Sequence, residues 1–545
     1  TWSFGYDLLS RLVESTDVTG GTCRMEFGPT GYLTSATDPT GVRREVVTDA
    51  AGLPLSFVDG DDRVDVVRDQ LGRVISDAGA DGEVSTRRFD ACGRLVESTD
   101  AAGGVTRFER DASGRVVAVT QPMGRTFRYE YDVAGRWAAT VSTGGQRYEV
   151  MRDADGRIVA EHWPSGEQVT TTFDACGRIV ERVEPGRGKV RFRYDAAGRI
   201  IGIRDPWNGR RSFSYDQAGQ LVSATNALGG VTRFEYNELG QRVATIDPMG
   251  GRTERTYDQL GRVLTETDPL GRVTRYSYDA AGRPVRRVDA DGHSLEWRYE
   301  RGRRSMTLAD GKVLSAVERD YAARTMRVVE GETVHELAWS TTGQLMSRLR
   351  NGVGVRYSYD ANGRRTSLER PDGSITRYEY DDNGRVSALE HPGVGRAVLE
   401  RDALGRVVSL AADGLHATWS YADGLVAEHR VNRRGFLQVT RIERDANGRV
   451  LAQVRDGLRT EYTYDDAGQL TGGRNSEGSE FRFEWDANGR LVAESTDGQI
   501  TRYSYDAGGQ LLTATAPDGS RTEYAYDGSG RRLRERGPSG ERHFA

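Results

Sequence analysis

The chain has 545 residues, 37% of them hydrophobic, with 67 glycines and 14 prolines. Apolar content this low normally signals disorder, but regularly placed aromatic and β-branched residues point to a thin, much-turned β structure. A formal net charge of −5 argues against a nucleic-acid or anionic-membrane binder, and no 18-residue apolar run or signal peptide is present. Basic charge is almost all Arg, with Lys189 and Lys312 the only lysines. Three cysteines, Cys23, Cys92 and Cys176, are too few for a disulfide framework.

From Arg68 onward one phrase recurs every 21 residues: an aromatic or Arg, then Asp, two variable residues, Gly, Arg and an aliphatic. It reads Arg68-Asp69-Gln70-Leu71-Gly72-Arg73-Val74, then Phe89-Asp90-Ala91-Cys92-Gly93-Arg94-Leu95. The series continues through Asp111, Asp132, Asp153, Asp174, Asp195, Asp216, Asp258 and Asp279, with only Asn237 and Glu300 departing from Asp. So strict a period marks an array of one supersecondary unit. Tyr6-Asp7, Phe27-Gly28 and Thr48-Asp49 carry it to the N-terminus, and later units run from Tyr359-Asp360 to Tyr526-Asp527. The count is about 26 units over residues 1–545, read as a single array, with degenerate stretches at 300–345, around Tyr321 and Trp339, and at 411–443. The chain opens on Thr1 and stops at Ala545 inside repeats, and is expected to be a processed or partial product.

Within a unit, Asp258-Gln259-Leu260-Gly261 predicts a type I turn with a left-handed Gly, the three-residue hairpin with a bulge. Residues 263–267 form a strand, Asp268-Pro269-Leu270-Gly271 a second turn, and 273–278 the return strand. The same turn pair is expected at Asp69/Gly72, Asp90/Gly93, Asp132/Gly135, Asp195/Gly198, Asp258/Gly261 and Asp279/Gly282. Return strands carry alternate aromatics that share one face, as in Tyr129/Tyr131, Tyr276/Tyr278, Tyr378/Tyr380 and Tyr503/Tyr505. These predict an aromatic–aliphatic ladder across the sheet, with Arg and Thr on the opposite face. Two turns per unit favour hairpins over a parallel β-helix, and a propeller would need about 13 blades, against the usual 4–8.

The recurrent Asp residues are read as turn caps rather than calcium ligands, and the seven histidines show no metal spacing. Nucleophile-elbow, phosphate-loop and zinc-protease motifs are absent, so neither catalysis nor a cofactor is expected. Trp137, Trp163, Trp207 and Trp297 stand outside the ladder and are candidate ligand contacts.

The phrase in Tyr131-Asp132-Val133-Ala134-Gly135-Arg136 and Tyr194-Asp195-Ala196-Ala197-Gly198-Arg199 resembles the YD-repeat signature of Rhs proteins. That family includes bacterial polymorphic toxins, insecticidal toxin-complex components, wall-associated proteins and teneurins. The resemblance implies an all-β fold, a long antiparallel sheet of hairpins wound into a hollow shell around a C-terminal toxin. It also implies as partners that toxin fragment, an N-terminal plug or trafficking module, and a secretion-apparatus spike protein, without nucleic acid or membrane insertion. Localisation would be synthesis in the bacterial cytoplasm followed by secretion or surface display. The family's Asp-Pro-x-Gly-Leu self-cleavage core has no match, since Asp38-Pro39, Asp205-Pro206, Asp247-Pro248 and Asp268-Pro269 all occupy second-turn positions. A ribbon of about 52 strands closed into a sphere would enclose on the order of 20,000 Å³, suited to a toxin domain. The rival reading is a cell-surface adhesion or carbohydrate-binding repeat protein.

Overall fold

The computed structural model describes residues 2–59, 62–79, 82–300, 303–320, 323–527 and 530–544. Tyr321 lies outside them. The described residues form a single 53-stranded sheet, from Ser3–Tyr6 to Gly540–His543, interrupted by one short 3-10 turn at Pro122–Gly124. Every strand pairs antiparallel with the next in sequence, as Ser3–Tyr6 does with Leu12–Thr16 and Arg532–Gly537 does with Gly540–His543. The topology is therefore an uninterrupted meander, as the repeat predicts.

Local chemistry sets this pattern. At the Asp-x-x-Gly turn the Asp69 N–H donates to the Arg73 carbonyl and the Gly72 N–H to the Asp69 carbonyl, both at 2.9 Å. Gly72 sits at φ +78°, a conformation that costs an L-residue with a side chain roughly 1–2 kcal/mol. The register slips by one residue at each such turn, for example between Ser277 and Tyr278, which is the expected bulge.

The two degenerate stretches keep the meander and change the turn. Asp310-Gly311, Asp423-Gly424 and Arg434-Gly435 make two-residue loops with both residues at positive φ, and strands beside them lengthen to nine residues. This is the tight hairpin connection matched to strand twist. Asp456-Gly457 and Asp497-Gly498 repeat the device, and their units shrink to 20 residues, from Asp445 to Asp465 and from Asp486 to Asp506. The arithmetic series breaks where the turn type switches; the fold does not.

The ribbon winds upon itself. Pro206, after the twentieth strand, accepts a hydrogen bond from Asn447 Nδ2 (2.9 Å), after the forty-third. Asn226 Nδ2, after the twenty-second strand, donates to the Ala487 carbonyl (2.9 Å), after the forty-seventh. One revolution thus takes 23–25 strands. At about 4.8 Å per strand the circumference is roughly 115 Å and the mid-sheet radius about 18 Å.

The wound geometry yields a test at Gly230, where an added Cβ would lie 2.6 Å from the Ala487 carbonyl oxygen of the next revolution. Gly230→Ala is expected to cost about 1–3 kcal/mol by overpacking. Hydrogen exchange should speed up at residues 485–491 as well as at 226–231; acceleration confined to 226–231 would contradict the close approach.

Candidate functional site: the wall and its seam

Each residue of the phrase has a physical task. In one unit, Asp111 Oδ1 accepts the Arg115 N–H (3.0 Å) and Asp111 Oδ2 accepts Arg115 Nε (2.8 Å). The Arg115 guanidinium then lies 4.7 Å above the Tyr131 ring of the next unit. Tyr131 in turn donates its hydroxyl to the Val116 carbonyl, one residue past that Arg (2.7 Å). A carboxylate, a guanidinium and a phenol are thereby coupled across two repeats, by charge-assisted hydrogen bonding and cation–π contact.

The relay recurs along the wall. Arg199, held by Asp195, covers Tyr215; Arg262, held by Asp258, covers Tyr278; Arg283, held by Asp279, covers Tyr299. Arg73, held by Asp69, covers Phe89, while Asp90 binds Arg94 and Asp132 binds Arg136. The glycines Gly93, Gly135, Gly198, Gly261 and Gly282 all take positive φ beside these pairs. Arg364 over Tyr380 and Arg490 over Tyr505 carry the same contact into the later units, with both hydroxyls bonded to main-chain carbonyls. Where the phrase begins with Arg, the guanidinium replaces the phenol: Arg110 Nη2 donates to the Leu95 carbonyl at 3.1 Å.

Guanidinium groups also take part in this row of rings: Tyr131, Tyr278, Tyr380 and Tyr505 each lie beneath an arginine of the preceding unit. Their partners Tyr129 and Tyr276 are half-buried on the same face. Tyr378 lies 4.6 Å under Arg365, and Tyr503 donates to Glu494 at 2.7 Å; burial, and after it this hydrogen bond, push the Tyr503 phenol up to about 12. Ring-on-ring packing is local, as where Trp137 stacks on Tyr148 and Trp163 meets its edge. Trp297 lies under Arg304.

Both carboxylate oxygens of the relay aspartates are engaged by N–H donors, which is turn capping rather than an open ligand set. Their acidity follows. Arg73 holds the Asp69 carboxyl below its ordinary range, and the Arg136 and Arg199 main-chain N–H groups do the same for Asp132 and Asp195.

On the opposite face a second device recurs. Ala139 is opposed by Glu130 on one side and Glu149 on the other, and Arg147 bridges both, at 2.7 and 3.1 Å. Arg252 spans Glu235 and Glu254 over Ala244, Arg43 spans Glu26 and Glu45 over Ser35, and Arg459 spans Glu443 and Glu461 over Ala452. The small residues beneath are 0–2% exposed, so the ion pairs roof them. A small side chain is required there because larger ones would lift the arch.

The seam completes the wall. It joins second turns of one revolution to Asp-x-x-Gly turns of the next. Gly144 donates to Asn383 Oδ1 (3.2 Å), Asn488 Nδ2 donates to Asp247 Oδ2 (3.3 Å), and Arg272 reaches Gln510 Oε1 and the Asp527 carbonyl (both 3.2 Å). Trp207 packs within 3.1 Å of where a Gly468 side chain would stand, under Arg449, so this tryptophan serves the seam. Sequence reasoning missed these residues, although a signal existed. Asn at the third turn position, as in Asn362, Asn383, Asn447 and Asn488, occurs only after residue 300. The second Gly of Asn226-Ala227-Leu228-Gly229-Gly230 marks close approach on the other edge.

Comparison with known proteins agrees with this architecture. The RHS repeat family matches residues 194–231, 215–253, 257–294, 339–375, 359–393, 485–521 and 509–542, and the teneurin YD-shell family matches 40–208. The chain belongs to the Rhs and YD-repeat proteins. The crystal structure of TcdB2–TccC3–Cdc42 is similar with a TM-score of 0.61 at 14% identity, over 100% of this chain and 37% of that one. A Tc holotoxin pore of Photorhabdus luminescens carrying a TccC3 mutation is similar at 0.59 and 13%, over 98% and 45%. This chain therefore spans less than half the length of either. No curated protein sequence matches it.

Two outcomes follow. Tyr278→Phe strands the Val263 carbonyl and is expected to cost about 0.5–1.5 kcal/mol, with faster exchange across the 257–278 hairpins. Relay carboxyls depressed in the folded wall contribute stability above their unfolded value of about 3.9, lost as pH falls through the folded value. Thermal unfolding should thus be nearly level from about pH 7 to pH 5 and drop steeply below about pH 4; an unchanged midpoint at pH 3 would refute the role of the relay.

Proposed function

We propose that the chain is the wall of an Rhs-type polymorphic-toxin shell, which encloses and shields a C-terminal toxin polypeptide until delivery to a target cell. The observation that carries this reading is the seam: a ribbon whose edges bond after 23–25 strands bounds an interior rather than presenting an open sheet. Subtracting half of a sheet layer of about 10 Å from the mid-sheet radius leaves a lumen about 13 Å in radius. Two revolutions, each about 25 Å tall, surround on the order of 30,000 Å³. That volume suits one domain-sized polypeptide.

The wall acts without catalysis, through exclusion. Its partners are the toxin fragment, a plug or trafficking module at the N-terminal side, and a secretion-apparatus spike protein that carries the particle out of the cell. No helix of the described residues is long and apolar enough to cross a membrane. The likeness of fold to toxin-complex chains supports the shell reading at the level of architecture.

Electron cryomicroscopy of the purified chain tests the reading. The expected particle is a ring in projection, about 45 Å across with an unfilled centre. An extended ribbon or a solid rod would overturn it.

A further inference from the structure

Among the described residues the full arch is made at four places, Arg43, Arg147, Arg252 and Arg459, and other units put different residues at its positions, as Arg88, Glu97 and Arg107 do. In the unit holding Ile200–Arg204 and Arg210–Tyr215, the position of Glu130 is taken by Arg193, that of Ala139 by Gly202, and that of Glu149 by Ser212. Arg210 keeps the place of the bridging Arg147. The cross-strand order is therefore Arg193, Gly202, Ser212, with Arg210 beside them and no carboxylate for either guanidinium.

The surroundings deepen the imbalance. Arg191 opposes Arg204, which opposes Arg210 on the next strand, a row of three like charges of the kind that costs stability in a sheet. The acidic residue of the groove lining, Glu181, is already engaged by Lys189 at 2.8 Å and Arg191 at 2.9 Å. Arg204 spends Nη2 on Asn208 Oδ1 (2.7 Å), while its buried Nε has no hydrogen-bond partner. Arg193 and Arg210 are exposed. Gly202 has no side chain, the Arg193 stem lies across it, and Arg191, Arg193, Arg204, Arg210 and Ser212, with Glu181 and the intervening Phe192, Ile201 and Ile203, line a groove of about 840 Å³.

We propose that this groove is a docking site for an acidic peptide segment, one of whose carboxylates takes the place of the missing clamp glutamate between Arg193 and Arg210. The identity of the ligand group is argued from the wall itself. At Arg43, Arg147, Arg252 and Arg459 the same backbone frame holds an arginine between two glutamates, so the frame is already shaped for the guanidinium–carboxylate fork. Here the arginine is kept and both acids are removed. Further carboxylates along the segment would meet Arg191 and Arg204, which line the same groove. The inference depends on side chains of the wall and is independent of whether the shell encloses a toxin.

The test is fluorescence anisotropy of a fluorescein-labelled hepta-glutamate peptide titrated with the full chain at low ionic strength. Saturable binding is expected, weakened at least tenfold by Arg193→Glu and by Ser212→Glu, each of which supplies an internal carboxylate to Arg210. Both variants should melt at or above the temperature of the parent, because they rebuild the roof, so their loss of binding is not loss of fold. Arg275→Glu, on the same face three units away, should change binding less than twofold. Parent-like binding by Arg193→Glu and Ser212→Glu would overturn the proposal, as would an equal loss in Arg275→Glu, which means diffuse charge attraction. Displacement of the peptide by equimolar inorganic phosphate would overturn it too, assigning the groove to a small free anion.

Discussion

The contact on which the wall depends is the stacking of Gly-Arg guanidinium groups over the aromatic rings of following units, as at Arg115, Arg199 and Arg262. Hairpins alone are marginal in water, and a chain with 37% hydrophobic residues has little core to add. The guanidinium supplies what is missing. Its Nε end is fixed by the Asp of its own turn, its flat face covers the next ring, and the ring's hydroxyl returns to the main chain beside the arginine, as at Arg115, Tyr131 and Val116. One side chain thereby orders two turns and a strand. Lysine would not serve in this position, since it has neither the planar fork nor the stacking face.

The two faces solve the same problem by different means. One face carries rings under guanidinium groups, and the other carries, at four places, Arg–Glu arches over Ala or Ser. The arches cover some of the most buried residues of the chain, Ala139, Ala244, Ala452 and Ser35. Exposed ion pairs contribute little energy individually, so their value here is positional: they cover the backbone of a sheet that has no second layer. The unit around Gly202 keeps the arch's arginine without its two acids, which is the basis for the docking proposed there.

Winding turns a ribbon into a boundary. Turns 238–261 residues apart meet along the seam, and the bonds are made by side-chain amides, by Arg272 and by the main-chain carbonyls of Pro206, Ala487 and Asp527. The first revolution presents glycine-bearing second turns such as Gly230, and the later one presents Asn383, Asn447 and Asn488. The edges are thus chemically unlike and complementary, and each revolution docks in a single register.

The amino-acid sequence by itself determined the meander, because its causes lie within five or six residues: Asp69 caps its own turn, Gly72 accepts a left-handed backbone, and alternation assigns Tyr276 and Tyr278 to one face. It also located the stretches where the period fails, though not that a two-residue Asp-Gly loop replaces the longer turn while the pairing continues. What only the tertiary structure decided is the number of strands per revolution and hence which turns meet. That number is the sum of small twists and bends over some two dozen strands, and no local window contains it. The same holds for the face-to-face neighbours of Arg193: the sequence places Gly202 and Arg210 nine and seventeen residues away, and strand register brings them together around one groove.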